Sequence, residues 1–209
     1  MARHPPFADR EDAGRKLAAE LPELERPVVL GLPRGGVPVA AAVARAIGAP
    51  LDVFVVRKLG LPAQPELAMG AVASGGVQVL NDDVLRHAAV TPAVLEEVAG
   101  RELAEVAARD RLYRGDRPAM RLSGLDVVLV DDGLATGATM RAAVLAVRSR
   151  EPRSVVAAVP VAPRETVTAF EREGIELVCP LVPRDFAAVG SWYRDFGQVA
   201  DEEVIRLIS

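Results

Sequence analysis

The 209-residue chain has a single cysteine, Cys179, so no internal disulfide can form and a reducing compartment, the cytoplasm, suits it. Aromatic residues make up only 4%, which leaves valine, leucine, alanine and isoleucine to build any core. Half of the chain is hydrophobic, enough for a sizeable one. The only histidines are His4 and His87, and there is no G-x-S-x-G turn, so a hydrolase triad has no support. Basic blocks are missing and the net charge is −4. Without a basic face or a winged helix, DNA is not an expected partner. Long apolar runs are missing too. The most membrane-like window, Val37–Val56, is interrupted by Pro38, Arg45, Pro50 and Asp52, and Met1–Arg10 lacks the apolar core of a signal peptide. The expectation is a soluble protein with no membrane contact.

The most informative stretch that is present is Val127–Met140, V-V-L-V-D-D-G-L-A-T-G-A-T-M. Four apolar residues in a row predict a strand covered on both faces, as in a parallel sheet. Asp131 and Asp132 follow, then a small-residue loop from Gly133 to Thr139, then helical spacing through Arg148. A helix N-terminus offers unpaired amides and the positive end of a dipole, a ready seat for phosphate. Gly137 lets the backbone approach such an anion, and Thr136 and Thr139 add hydroxyl donors. Phosphate would be repelled by the acidic pair, which suits a vicinal diol instead. A diol joined to a phosphate is a ribose 5-phosphate.

The ordered motif, hydrophobic strand, acidic pair and T-G-x-T, resembles the PRPP-binding signature of the type I phosphoribosyltransferases. The resemblance implies an α/β fold over residues 1–209 as a single domain. Its doubly wound, mostly parallel twisted sheet would carry helices on both faces and a small hood from the terminal segments. It implies transfer of a 5-phosphoribosyl group from PRPP to a nitrogen acceptor, a nucleobase, with release of pyrophosphate. Asp131 and Asp132 would hold the ribose hydroxyls, while Gly133, Ala135, Thr136, Gly137, Ala138 and Thr139 line the sugar-phosphate loop. Mg²⁺ would be bound mainly through PRPP, reached by the two aspartates through ribose hydroxyls or water. Members of the family often form dimers, so a homodimer is the implied assembly. A PRPP-binding regulator on the same fold, without turnover, is the alternative.

Other segments fit around this frame. An amphipathic helix is expected over Phe7–Leu21, capped by Asp9. Pro27–Leu32 reads as a strand, followed by Pro33-Arg34-Gly35-Gly36 and a small-residue helix at Val37–Ile47, a second anion-ready turn. In the family this position is the pyrophosphate loop, which often carries a non-proline cis peptide, here around Pro33-Arg34-Gly35. Leu51–Val56 reads as another buried strand ending on Arg57 and Lys58, two cations suited to a leaving pyrophosphate. Gly60–Met69, rich in glycine and proline, reads as a loop, which the resemblance would make a mobile catalytic one. Short strands at Gly70–Ala73 and Val77–Leu80 form a hairpin, and a long helix runs from Thr91 to Tyr113. Strands at Ser154–Val159 and Ile175–Cys179 flank a helix at Pro163–Glu173. The chain ends in a helix capped by Asp201.

Aromatic residues concentrate in the segment Leu181–Phe196, where Phe186 or Trp192 could stack on a planar base. The segment resembles the base-recognition stretch of the hypoxanthine-guanine members. However, Arg184-Asp185 stands where those have an amide and a lysine. Leu134 and Ala135, beside the acidic pair, offer nothing ionisable to serve as a general base.

Overall fold

The computed structural model describes residues 5–62, 64–88 and 90–209. Five parallel strands form the central sheet: β1 (Pro27–Gly31), β2 (Leu51–Val53), β6 (Asp126–Val130), β7 (Ser154–Ala158) and β8 (Glu176–Val178), in the order β2-β1-β6-β7-β8. Strand β6 is central and buried along its whole length. Its alternating side chains serve two cores. Val127 and Leu129 pack with helix α5 (Ala138–Arg148), and Val128 and Val130 pack with α2 (Gly36–Ile47) and Leu17 of α1 (Arg10–Ala18). That is the two-sided burial expected of an apolar strand with no polar face. From β1 the chain crosses one way to β2, and from β6 it crosses the other way to β7 and β8. The reversal lies between β1 and β6, so the loops leaving their carboxyl ends meet where open α/β sheets place their ligands.

A second, antiparallel sheet joins β3 (Val56–Leu61), β4 (Gln64–Ala73) and β5 (Val77–Leu80). It corrects two sequence expectations. Leu51–Val56 is not one strand: Phe54 and Val55 carry the chain from the parallel sheet into the antiparallel one. Gly60–Met69 is not an open loop, because most of it is paired. Leu59 faces Gly70 and Gly60 faces Ala68, with a bulge between them, and cross-strand pairing overrides the glycine and proline content. Ala63, within that stretch, lies outside the described residues.

Helix α4 (Pro92–Arg114), capped by Thr91, covers this small sheet with Val98, Ala99 and Val106, while Ala107 is exposed. Helices α6 (Arg164–Arg172) and α7 (Asp201–Ile208) complete the layers, with α3 (Asp82–His87) preceding α4. Asp201 is the first residue of α7 and not its cap; Ala200 holds that place, and the Asp201 carboxylate accepts the Tyr113 hydroxyl at 2.6 Å. Phe7 lies outside α1 and pairs with Tyr193, so the two chain ends form a hood with Ala13 and Val161. Among the described residues, no helix is long and apolar enough to cross a membrane.

At the opposite end of the sheet from the ligand loops, buried Asp126 ties three segments together. It accepts the amides of Glu25 and Arg26 at 3.0 Å each, the Ser154 hydroxyl at 2.6 Å and Arg153 Nε at 2.8 Å. The hydrogen bond from Arg153 leads the effects that hold its carboxyl well below the usual carboxylate range. Asp126→Asn is expected to cost about 1–3 kcal/mol at pH 7 by leaving donors unpaired. The carboxylate's contribution is complete above the unfolded value near pH 4 and fades as pH falls towards the folded one. The gap between wild type and variant in urea unfolding should therefore narrow in acid. On the exposed face of α4, a methyl added at Gly100 would have no atom within 4 Å. Gly100→Ala should raise stability by about 1 kcal/mol in the same measurement.

Candidate functional site

The β6–α5 loop is held from behind by several partners. Leu134 donates its amide to Val161 O at 3.0 Å, Ala135 O accepts the Thr166 hydroxyl at 2.6 Å, and Thr136 O accepts Arg141 Nη1 at 2.6 Å. Arg141 is itself fixed by Glu173 at 2.7 Å. Gly137 caps α5 with a φ of 75°, a left-handed conformation that glycine adopts without penalty. A methyl there would also sit 2.6 Å from the Phe170 ring. The result is a helix N-terminus with Thr136, Ala138 and Thr139 facing a cleft. Gly133 packs under Val189, which brings the hood segment down beside the acidic pair.

Asp131 and Asp132 follow directly on β6. Asp131 Oδ1 accepts the Asp132 amide at 2.8 Å. Asp132 Oδ2 accepts both Nε and Nη2 of Arg10, at 3.0 and 2.9 Å, and the Asp132 carbonyl accepts the Tyr193 hydroxyl at 2.5 Å. Among the described residues, no donor reaches Asp131 Oδ2 or Asp132 Oδ1. Burial, with the neighbouring Asp132 charge, pushes the Asp131 carboxyl well above its ordinary value. Burial also raises Asp132, with Arg10 opposing the rise. Burial pushes the Tyr193 phenol up strongly as well, which keeps it a donor.

The neighbouring β1–α2 loop presses on this pair. A methyl on Gly35 would lie 2.0 Å from Asp132 Oδ2, and one on Gly36 would lie 2.6 Å from Val130 O and 3.0 Å from Asp131 Oδ1. Both glycines are therefore required by close approach, and the Pro33–Arg34 peptide is cis, at the place the sequence pointed to. The Arg34 side chain departs from expectation. It runs towards α7, 4.0 Å from Asp201, and is not part of the cleft lining. Tyr113, pushed up to about 12 by burial and then by Asp201, shares that carboxylate.

The cleft has a volume of about 980 Å³ and lies between the Thr136–Thr139 turn, β3 and α4. Arg57 and Lys58 line it as expected, with Pro33 beside them. Helix α4 adds Arg101, Arg109 and Glu102, which the sequence presents only as charges on a long helix. Glu102 accepts Arg57 at 2.8 Å and Arg101 at 3.2 Å. Burial works to raise the Glu102 carboxyl, but those two guanidinium hydrogen bonds prevail and lower it. Asp131 and Asp132 stand at the base of the turn and not among the cleft-lining side chains. Phe186 is partly buried against the Phe7–Tyr193 hood, away from the cleft lining. Arg10 and Tyr193 escape sequence reasoning too: their partners are 122 and 61 positions away, and no local pattern announces them.

Chemically, this is a site of one class: an anion seat at a helix N-terminus, carboxylate acceptors at the adjoining strand end, and a cationic cleft in front. The profile of the Phosphoribosyl transferase domain family matches residues 7–171. The chain belongs to that family. A Mycobacterium tuberculosis H37Rv protein named "Putative phosphoribosyl transferase" is 48% identical over 204 residues, 97% of this chain and 46% of the relative, so the chain spans about half the length of that relative. The crystal structure of TT1426 from Thermus thermophilus is 50% identical, with a TM-score of 0.91 and 97% of each chain covered. A hypothetical protein from Neisseria gonorrhoeae, solved with bound ppGpp, shares the fold at 13% identity and a TM-score of 0.51, covering 99% of this chain and 98% of its own.

Gly35→Ala is expected to displace the Asp132 carboxylate from Arg10. The cost should be about 1–3 kcal/mol, as for overpacking a filled site. A thermal unfolding midpoint unchanged from wild type would show that the contact is slack.

Proposed function

We propose that the chain transfers a 5-phosphoribosyl group from PRPP to a nitrogen acceptor, a nucleobase, and releases pyrophosphate. One observation carries the reading. Two carboxylate oxygens without protein donors among the described residues, Asp131 Oδ2 and Asp132 Oδ1, stand at the strand end directly before a glycine-capped helix N-terminus. The pair matches two ribose hydroxyls, and the helix start matches the 5′-phosphate of the same sugar. Family membership supports the same substrate.

In this reading Thr136, Gly137, Ala138 and Thr139 grip the 5′-phosphate, with Gly133 and Ala135 shaping the turn between it and the ribose. Asp131 and Asp132 orient the sugar. As C1′ parts from pyrophosphate, positive charge grows on the ribose and negative charge on the leaving group. The amide of Gly35 and the cations Arg57 and Lys58 are placed to meet that negative charge, whereas the Gly36 amide is already donated to Leu32 O at 3.0 Å and Gly36 serves by its close approach to Asp131. Arg57 is already held by Glu102, so pyrophosphate oxygens enter a site whose geometry is set beforehand. Arg34 contributes from the side of α7, through the field of its charge. Hard carboxylate oxygens at Asp131 and Asp132 fit Mg²⁺, which would be held mainly by PRPP and would neutralise part of the pyrophosphate charge. The hood near Phe186 and Trp192 is the proposed acceptor side. A cytoplasmic location is part of the same proposal.

A PRPP-binding regulator is the second reading. It is favoured by one observation: buried Leu134 and exposed Ala135 fill the positions after the acidic pair and its glycine, and neither can move a proton.

Mg²⁺-dependent pyrophosphate release from PRPP across purines, pyrimidines and other nitrogen acceptors separates the two. Release with one acceptor is expected of the transferase. Binding of PRPP in calorimetry without release by any acceptor favours the regulator. The double variant Asp131→Asn, Asp132→Asn should keep its melting transition and lose PRPP binding at least tenfold, each lost charged hydrogen bond being worth roughly 1.5–3 kcal/mol. Unchanged affinity in that variant would remove the carboxylates from the site.

A further inference from the structure

Arg10 is the first residue of α1, directly after the cap Asp9. A cation there opposes the helix dipole, whereas Glu11 and Asp12 in the same turn agree with it. Local helix chemistry therefore gives no reason for arginine at this position. Its surroundings do. Nε and Nη2 both donate to Asp132 Oδ2, and Nη1 donates to Gly197 O at 2.8 Å. The guanidinium carbon lies 4.0 Å from the Phe196 ring centroid, and the paired side chains are only 13% and 15% exposed.

We infer that Arg10 is a positioning residue for the acidic pair: by occupying Asp132 Oδ2 it fixes that carboxylate and leaves Oδ1 as the open acceptor for a ribose hydroxyl. This rests on the PRPP reading above. The fork-shaped guanidinium suits the task, since two parallel donors fix both the position and the rotation of a carboxylate. Tyr193 holds the same residue from its carbonyl, so Asp132 is gripped at main chain and side chain by opposite ends of the protein. Among the described residues, the charged groups facing the Asp132 carboxylate are Arg10 from α1 and Asp131, which precedes it in the chain. The β1–α2 loop presents the backbone of Gly35, its Arg34 being directed at Asp201, and the hood presents the neutral Tyr193 phenol. Arg10 is the one cation in that set.

The test is PRPP binding by calorimetry at one pH for wild type, Arg10→Met, Arg10→Lys, Asp132→Asn and the Arg10→Met, Asp132→Asn double variant, with thermal unfolding of each. Arg10→Met should bind PRPP about tenfold or more weakly, the size expected when a charged hydrogen-bonding group loses its fixed geometry. Arg10→Lys, which keeps the charge and loses the fork, should recover only part of that affinity. In the Asp132→Asn background Arg10→Met should change affinity by no more than about twofold, because Arg10 acts through that carboxylate. If Arg10→Met fails to fold, Arg10→Gln replaces it and the same non-additivity is required. Losses that add in full in the double variant would make Arg10 a scaffold residue and overturn the inference, as would unchanged affinity in Arg10→Met. Wild type that binds no PRPP would instead defeat the PRPP reading itself, and the inference with it.

Discussion

Two backbone segments meet at the carboxyl end of the sheet with no space between them. Gly35 and Gly36 lie against Val130, Asp131 and Asp132 so closely that neither position admits a methyl group. This contact exists because β1 and β6 are neighbours in register, Gly31 beside Val130, at the point where the strand order reverses. That adjacency brings the acidic pair and two helix starts into one region. One helix start comes from each strand, and the acidic pair lies between them. Moving the register by one residue would turn the alternate side chains of β6 from one core to the other, so the two hydrophobic cores and the site specify the same arrangement.

The price of such closeness is electrostatic. Two consecutive carboxylates are half-buried next to each other, and loss of solvent disfavours ionisation of both. The fold counters with one guanidinium at Asp132, and that guanidinium is anchored in turn to Gly197 O and Phe196 of the hood. Across the cleft the logic is reversed. Cations on β3 and α4 outnumber the carboxylates facing them, and Glu102 spaces Arg57 and Arg101 apart without neutralising the whole wall. The molecule thus keeps its acidic pair at the base of the Thr136 turn, apart from the basic wall of the cleft.

How much of this is legible in the amino-acid sequence depends on range. Strand, acidic pair, loop and helix from Asp126 to Arg148 can be read because each feature is local: four apolar residues, two aspartates, a glycine at the cap. The cis peptide at Pro33–Arg34 follows from the family resemblance and not from any physical pattern. The β3–β4 hairpin is hidden because glycine and proline in Gly60–Met69 argue for a loop, and only the partner strand argues otherwise. Leu51–Val56 misleads for a related reason: continuous apolar residues do not reveal that a chain changes sheets midway. Arg34 does stand beside the glycine turn, yet the direction of its side chain depends on Asp201 at the far end of the chain. Arg10 lies wholly beyond reach for the same reason.

The two banks of the cleft are moored to different parts of the protein. The Thr136 bank hangs from Val161, Thr166 and the Arg141–Glu173 pair, on the β7–α6 side. The α4 bank rests on the antiparallel sheet and α7, and is locked to β2 and the β4–β5 turn by Arg114 with Asp52 and by Ser74 with Asp110. Inheritance can therefore act on them separately. A substitution at Arg101 or Arg109 would alter what the mouth of the cleft admits without touching the supports of the Thr136 turn.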